Sequence, residues 1–399
     1  MSSEIGVAVI GAGMVGRAHA NAYRTASTVY DLGGPVARLV AVADVHEPFA
    51  VDTARRYGYD RAETDWRAVI DAADVDAVSV AVANSLHREI TEAALAAGKH
   101  VLCEKPLAAG VADAEAMVAA AEAAPGQIGA VGFTFRRSPA VNAIKELVES
   151  RLGPVRHVVG NYWCDYGFDS ERPISWRYRG GPGTGVLADI GSHLTDLAEF
   201  FCGPAVSVRG TTMATLVTER PVPLGRAVGH AGGVELSAER AAVENEDVCT
   251  FTAGFAGGAV GTFALSRVAY GHANTLKLDL FCAGGTASFD LNRPAEFTVV
   301  DDGPDQPSNG PRTVSIGPWH PYVAGGLPMD FPTVGHGQND FFVYQARAFL
   351  DQIGGRHRLP PCPDLAHGLH NMRVLAAVTS ATDKPVHLET VHLERGPGA

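Results

Sequence analysis

Short apolar runs organise the first third of the chain, each closed by glycine or a polar residue and followed by apolar positions three and four apart. Ile5-Gly6-Val7-Ala8-Val9-Ile10 is the first run, and its β-branched residues predict a strand. Gly11-Ala12-Gly13-Met14-Val15-Gly16 follows and opens a helix carried by Ala18, Ala20, Ala22 and Tyr23. Arg38-Leu39-Val40-Ala41-Val42-Ala43 predicts a second strand, ahead of helices around Asp52 to Tyr57 and Trp66 to Ala72. The strand Ala77-Val78-Ser79-Val80-Ala81-Val82 leads through Ala83-Asn84-Ser85-Leu86-His87 into a helix ending at Ala97, and Val101-Leu102-Cys103 is the next strand. A helix over Ala112 to Ala124 and a strand over Ile128 to Phe133 complete the series, which predicts a parallel sheet covered on both faces.

Beyond about Pro139 the period changes. One helix, Val141 to Ser150, is followed by segments with alternating side chains: Val155 to Trp163, Val248 to Ala253, Gly261 to Ser266 and Thr275 to Cys282. These predict a large, mostly antiparallel sheet open on one face, a surface suited to pairing subunits into a homodimer or homotetramer. Two stretches, Met213 to Asp247 and Asp302 to Asp340, read as long loops; the second carries Trp319, His320, Tyr322 and His336 and is a candidate lid, surface excursion or subunit contact. The expected fold class is α/β. Residues 1–138 form a Rossmann-type dinucleotide domain, and residues 139–399 form an α+β substrate-binding and oligomerisation domain with a C-terminal helix.

Composition agrees with two cores: 399 residues, 46% hydrophobic and 19% charged, exceed what one ordinary core needs. A net charge of −12 without any Lys/Arg-rich run argues against nucleic acid or an anionic membrane as partner and favours a small neutral or cationic substrate. The N-terminal segment has no basic region, and its apolar run is too short for a signal sequence or membrane span, so a cytoplasmic location is expected. Six cysteines without a Cys-x-x-Cys pair read as buried thiols, not as a zinc site or disulfide framework, with Cys103 nearest the chemistry.

The glycines supply the first candidate site. Gly11 permits a tight turn, Gly13 lets a pyrophosphate approach the backbone, and Gly16 lets the helix pack on the strand, with the helix N-terminus offering N–H groups. Asp44, at the end of the second strand, is placed for the ribose hydroxyls; its carboxylate would repel a 2′-phosphate, so NAD is favoured over NADP. The expected cofactor contacts are Gly11, Gly13, Met14, Val15, Gly16, Asp44, Ala83, Asn84, His87, Glu104, Lys105, Arg136, Trp176 and Arg177. For His87 a bond to backbone is the competing reading. Lys105 stands at the mouth of a strand with Pro106 behind it. Farther on, Asp189, His193 and Asp196 fall at i, i+4 and i+7 of a helical segment, so a carboxylate and an imidazole project together, and the Gly-rich approach Gly180 to Gly185 suits close approach to a ligand.

Gly-x-Gly-x-x-Gly, then Glu104-Lys105-Pro106, then Asp189-x-Gly-x-His193 resembles the family of glucose–fructose oxidoreductase, inositol dehydrogenase and the rhizopine-catabolism oxidoreductases, over nearly the whole chain. The resemblance implies a nicotinamide enzyme whose catalytic lysine, aspartate and histidine match Lys105, Asp189 and His193. Ser175-Trp176-Arg177 and Gly317-Pro318-x-His320-Pro321-Tyr322 resemble the branch that contains levoglucosan dehydrogenase and enzymes oxidising the 3-hydroxyl of a hexopyranoside. Thr134 departs from the family, which has asparagine there. Substrate contacts are expected from Lys105, Tyr162, Asp165, Tyr166, Asp189, His193 and His336, with a sugar or cyclitol as substrate. In the mechanism this implies, His193 takes the hydroxyl proton while Lys105 polarises the oxygen and Asp189 orients the lysine or grips a neighbouring hydroxyl; the competing assignment makes a desolvated Lys105 the base. A redox-neutral NAD-dependent glycosidase and a non-catalytic dinucleotide-sensing regulator are the alternatives at this point.

Overall fold

Ile5 to Ile10 are buried at every position and form the heart of the first strand, β1 (Glu4–Ile10). The computed structural model describes residues 4–29, 34–225, 234–303, 309–324 and 329–381. Around β1 lie β2 (Val36–Ala43), β3 (Arg61–Glu63), β4 (Ala77–Val80), β5 (His100–Cys103) and β6 (Gly129–Val131), all parallel, in the order β3-β2-β1-β4-β5-β6. The order reverses between β1 and β4, and open α/β sheets bind ligands at such a point, beyond the carboxyl ends of the strands. Helices α1 (Met14–Val29), α2 (Glu47–Tyr57), α3 (Trp66–Asp71), α4 (His87–Ala96) and α5 (Val111–Ala123) make the crossovers.

Ser138 leaves this unit by capping α6 (Pro139–Leu147), its hydroxyl accepting from Val141 N, with proline in the first turn, where no N–H is needed. The second sheet contains β7 (Val155–Trp163), β8 (Ala205–Ala214), β11 (Val248–Phe255), β12 (Val260–Ser266), β13 (Thr275–Cys282), β14 (Thr286–Asp290), β15 (Glu296–Val300) and β16 (Arg312–Ser315). Its order is β16-β15-β14-β13-β7-β12-β11-β8, antiparallel except for the β7–β12 pair. On one side α7 (Ser192–Cys202) packs on β7, and α6 packs on β14 and β15. Alternate residues on the strands, including Thr252, Val260, Thr262, Lys277 and Phe281, remain exposed, as expected for an open face.

Three features differ from the expected organisation. The stretch 213–247 holds an antiparallel ribbon of β9 (Glu219–Pro223) and β10 (Leu236–Ala242), and the stretch 302–340 holds the edge strand β16. Pro221, Pro223 and the charged residues of these short strands hid the alternation from which a strand is read. The last helices, α8 (Gln338–Ile353) and α9 (Leu365–Ser380), return to the nucleotide half, where α8 packs on α1 and α9 on α5. Phe341, Tyr344 and Phe349 of α8 are fully buried, each side chain contributing roughly 1.5–3 kcal/mol of transfer energy. The buried Arg347 donates to Pro35 O at 3.1 Å and to Asp351 Oδ1 at 2.7 Å, and Val131 N bonds Pro363 O at 2.8 Å, extending the first sheet with the chain's far end. All six cysteines are free, and all but Cys282 are buried.

Candidate active site

At the β1–α1 turn, Gly11 has φ of +100°, and a Cβ there would lie 2.2 Å from Ala81 O. A Cβ at Gly16 would lie 1.7 Å from Gly11 O, so helix and loop touch only because both residues are glycine. Gly13 faces open space. The loop is fixed from outside by Asp44, whose Oδ2 accepts from Ala12 N at 2.7 Å and Oδ1 from His46 N at 2.8 Å. A carboxylate offers more acceptor positions than these two bonds use, so Asp44 retains capacity for a diol while pinning the turn. An open glycine at a helix start beside a fixed acid suits a dinucleotide: pyrophosphate over Gly13 and the start of α1, ribose at Asp44. Met14 is exposed at this helix start, with Val15 half-buried, and Ala83 and Asn84 lie half-buried in a turn beyond β4.

Lys105 follows β5, and the Lys105–Pro106 peptide is cis. Its ammonium donates to Asp189 O at 2.8 Å and lies 3.6 Å from Asp189 Oδ1. Glu104 and His87, both expected at the cofactor, lie behind this lysine instead. Glu104 is buried, its Oε1 bonded to His19 Nε2 at 2.9 Å and its Oε2 accepting from Lys105 N at 3.2 Å. His87 is 1% exposed; its Nδ1 faces Pro106 O at 3.1 Å and its Nε2 faces Val82 O at 3.2 Å. Burial holds the His87 imidazole below its usual titration range. The backbone-bonded reading of His87 is therefore the one its geometry supports, with the ring tying the residues that follow the lysine to Val82 beyond β4.

Asp189 and His193 belong to different helical geometries. Asp189 sits in a π-turn (Leu187–Gly191) that runs into α7, where His193 occupies the first turn. The wider turn breaks the expected i, i+4, i+7 stripe: Asp196 faces elsewhere, bonded to Arg136 at 2.8 Å and His367 at 3.0 Å. The Asp189 carboxylate accepts from Tyr166 OH at 2.7 Å and lies 3.4 Å from Arg177 Nη1. His193 is buried, its ring stacked on Phe135 at 4.2 Å, and neither ring nitrogen bonds another described residue. Burial first, and then the charge of Lys105, push its pKa well below the ordinary value, against an opposing pull from Asp189. A neutral imidazole, a lysine ammonium and a carboxylate thus converge.

The segment carrying Asp189 hangs on a buried polar hub. Arg267 and Asp247, both fully buried, pair at 2.7 Å, and Arg267 also donates to Asn245 Oδ1 at 2.8 Å and Arg177 O at 3.2 Å. Glu246 accepts from the backbone N–H of Gly183, Gly185 and Leu187. The Gly-rich approach expected to admit a ligand is therefore occupied by the protein's own carboxylate, with glycine allowing the close passage: a Cβ at Gly185 would lie 2.4 Å from Glu246 O.

Other expected contacts are also placed differently. Arg136 bonds Asp196 and His367, and Arg177 bonds Asp189 with its guanidinium over Trp176. Trp176 is half-exposed. Of the expected substrate contacts, Tyr162 is buried and donates to Asn274 Oδ1 at 2.6 Å, Tyr166 serves Asp189, and Asp165 is half-buried beside them. His336 packs against Phe341 and Tyr344 with Nε2 on Pro294 O, a packing role. His19, Phe135, Asn274 and the Arg267 hub went unnoticed in the sequence because each acts through a partner remote in the chain.

The fold and this cluster define a nicotinamide-dependent oxidoreductase. Residues 5–133 match the oxidoreductase family with an NAD-binding Rossmann fold, and residues 141–288 match the Gfo/Idh/MocA C-terminal domain. Levoglucosan dehydrogenase of Pseudarthrobacter phenanthrenivorans is 32% identical over 354 residues, 88% of this chain and 89% of that protein. Myo-inositol 2-dehydrogenase of Thermotoga maritima is 27% identical over 76% of this chain and 80% of its own. Among solved structures, levoglucosan dehydrogenase with NADH and levoglucosan superposes with a TM-score of 0.84 at 30% identity, covering 95% of this chain and 97% of that one. An oxidoreductase domain protein from Kribbella flavida gives a TM-score of 0.85 at 37% identity over 96% and 97%. The chain belongs to the Gfo/Idh/MocA oxidoreductase family and is an NAD-dependent sugar or cyclitol oxidoreductase. No helix among the described residues is long and apolar enough to cross a membrane.

Proposed function

We propose that the chain oxidises the C3 hydroxyl of a pyranoside, an anhydrosugar, an amino-sugar glycoside or a cyclitol to the ketone. The observation that carries the reading is the meeting of Lys105, Asp189 and His193, whose ring nitrogens bond no other described residue, at the junction of the two halves. Bound at the glycine turn, NAD supplies the hydride acceptor. The hydroxyl proton must leave as the C–H bond breaks, and His193, held neutral by burial, takes it. The Lys105 ammonium stabilises charge developing on the oxygen, while Asp189, gripped by Tyr166 and Arg177, fixes the lysine. The products are ketone, NADH and one proton.

The test is NADH absorbance across a panel of glucosides, anhydrosugars, inositols and aminoglycosides, followed by NMR location of the new ketone. A ketone at another carbon corrects the position. Release of free sugar and aglycone without net NADH indicates a redox-neutral glycosidase instead. The same reading has the enzyme assemble as a homodimer or homotetramer through the open face of the eight-stranded sheet; sedimentation at working concentration showing monomer alone removes that part.

A further inference from the structure

Two aromatic side chains stand out from the surface on the segments that carry Tyr166 and Asn274. Phe168 is 50% exposed and Tyr270 is 76% exposed, yet their rings lie against each other with centroids 4.6 Å apart and planes 31° apart. Such rings are ordinarily buried, and nothing in the packing of either domain needs this pair. The backbone beneath them is firmly held. Past the ends of β7 and β12, the two segments continue as a paired ribbon: Cys164 N bonds Ser266 O at 2.7 Å, Gly167 N bonds Arg267 O at 2.8 Å, and Ala269 N bonds Cys164 O at 2.9 Å. The fully buried Arg220 donates to Gly167 O and, at 2.7 Å, to Asp169 O, with its guanidinium over the Tyr178 ring.

Both segments also reach the catalytic cluster. Tyr166, two residues before Phe168, donates to Asp189 Oδ2. Asn274, four residues after Tyr270, accepts from Tyr162, whose ring lies near His193 with centroids 6.4 Å apart. Two residues of chain span at most roughly 7 Å, so Phe168 stays close to the backbone of Tyr166. An exposed aromatic pair on the two segments that also supply Tyr166 and Asn274 to the cluster, with its backbone fixed by a buried arginine, offers what a flat apolar ring face stacks on.

We propose that Phe168 and Tyr270 form a stacking platform for the part of a glycoside substrate beyond the oxidised ring, an aryl group or a second pyranose presenting its C–H face. The inference rests on the sugar-oxidation reading above and narrows its substrate class from free sugars and cyclitols to glycosides. The platform acts on selectivity, because it touches a part of the substrate that does not react.

The experiment compares kcat/KM for 1,5-anhydroglucitol, 4-nitrophenyl β-glucoside and cellobiose, with NAD, in the full-length wild type and in Phe168→Ala, Tyr270→Ser and Phe168→Tyr. In the first two variants the ratio of glycoside to anhydroglucitol is expected to fall about tenfold, mainly through KM, and Phe168→Tyr restores it. A fall for the aryl glucoside alone identifies an aryl aglycone, and a fall for cellobiose alone identifies a second sugar. An unchanged ratio overturns the proposal, including the case in which a variant dissociates an oligomer and the pair proves to be a subunit contact. An equal loss on all three substrates also overturns it. If the wild type turns over no sugar at all, the oxidation reading fails on its own. The platform is then judged by calorimetric binding of 4-nitrophenyl β-glucoside to NAD-loaded protein: weaker binding in Tyr270→Ser upholds it, and equal binding overturns it.

Discussion

The Lys105 ammonium is closer to the backbone carbonyl of Asp189, at 2.8 Å, than to its carboxylate, at 3.6 Å. The carbonyl fixes where the charge sits, and the carboxylate, already held by Tyr166 and Arg177, biases it without capturing it. The arrangement leaves the ammonium available to a developing alkoxide.

Lys105 and Asp189 act on His193 in opposite directions. Replacing Lys105 with Met removes a cation that depresses the imidazole, so its pKa rises; Asp189→Asn removes an opposing anion, so it falls further. The His193 NMR shift followed through pH checks both signs without requiring turnover. Burial, the largest cause, persists in both variants, so neither returns the ring fully to its usual value. His193→Ala and Lys105→Ala are each expected to lower kcat by about 10²-fold or more while NADH binding, read by fluorescence, is retained. Near-normal turnover in either removes that residue from the chemistry.

Asp44 ties the glycine turn through Ala12 N, and under the proposed function its carboxylate would also take the ribose diol of NAD. Asp44→Ser is expected to raise the KM for NAD about tenfold and to narrow the discrimination against NADP, because the repelling charge is gone. Unaltered selectivity between the two cofactors would count against this role.

Asp247→Ala leaves the Arg267 guanidinium charged and unpaired in a site with no solvent exposure. A cost of about 3–5 kcal/mol follows, visible as a large drop in Tm. Because Arg267 also holds Arg177 O, the surviving folded protein should lose turnover as well.

His87, His193, His320 and His336 all have depressed pKa values, His320 at about 4, with burial the leading cause in each. Below about pH 6.5 the unfolded chain binds protons at these rings more readily than the folded one. Stability is therefore full above that pH and falls as pH drops through it, each ring withdrawing at most about 1.4 kcal/mol per pH unit. Thermal melts between pH 7.5 and 5 check this: a Tm independent of pH in that range would exclude the rings as contributors.

Regular periodicity made the parallel sheet and the main strands of the second sheet legible to within a few residues, and glycine spacing located the dinucleotide turn. Lys105 and Asp189 each stand beside a local marker, a proline and a glycine run, and the structure brings them together with His193 although the helical stripe expected to align Asp189, His193 and Asp196 is broken. What lay hidden depended on distant partners. Nothing near Glu104 in the sequence indicates that His19, on helix α1, will take its carboxylate, nor that Glu246 will fill the space beside Gly185. The partners of His336 and Arg136 are equally remote in the chain: Pro294 for the imidazole, Asp196 and His367 for the guanidinium. The π-turn at Asp189 gave no periodic warning, since one widened turn is shorter than any window from which a period is read.

The return of α8 and α9 to the nucleotide half means that a border drawn near residue 138 does not delimit a separable module. Expressed alone, the N-terminal segment would expose the surfaces of α1 and α5 that these helices cover, and should aggregate. The smallest fragment able to hold a dinucleotide stably would need both ends of the polypeptide, so proteolysis in the middle of the second sheet could leave a nicked but still associated protein.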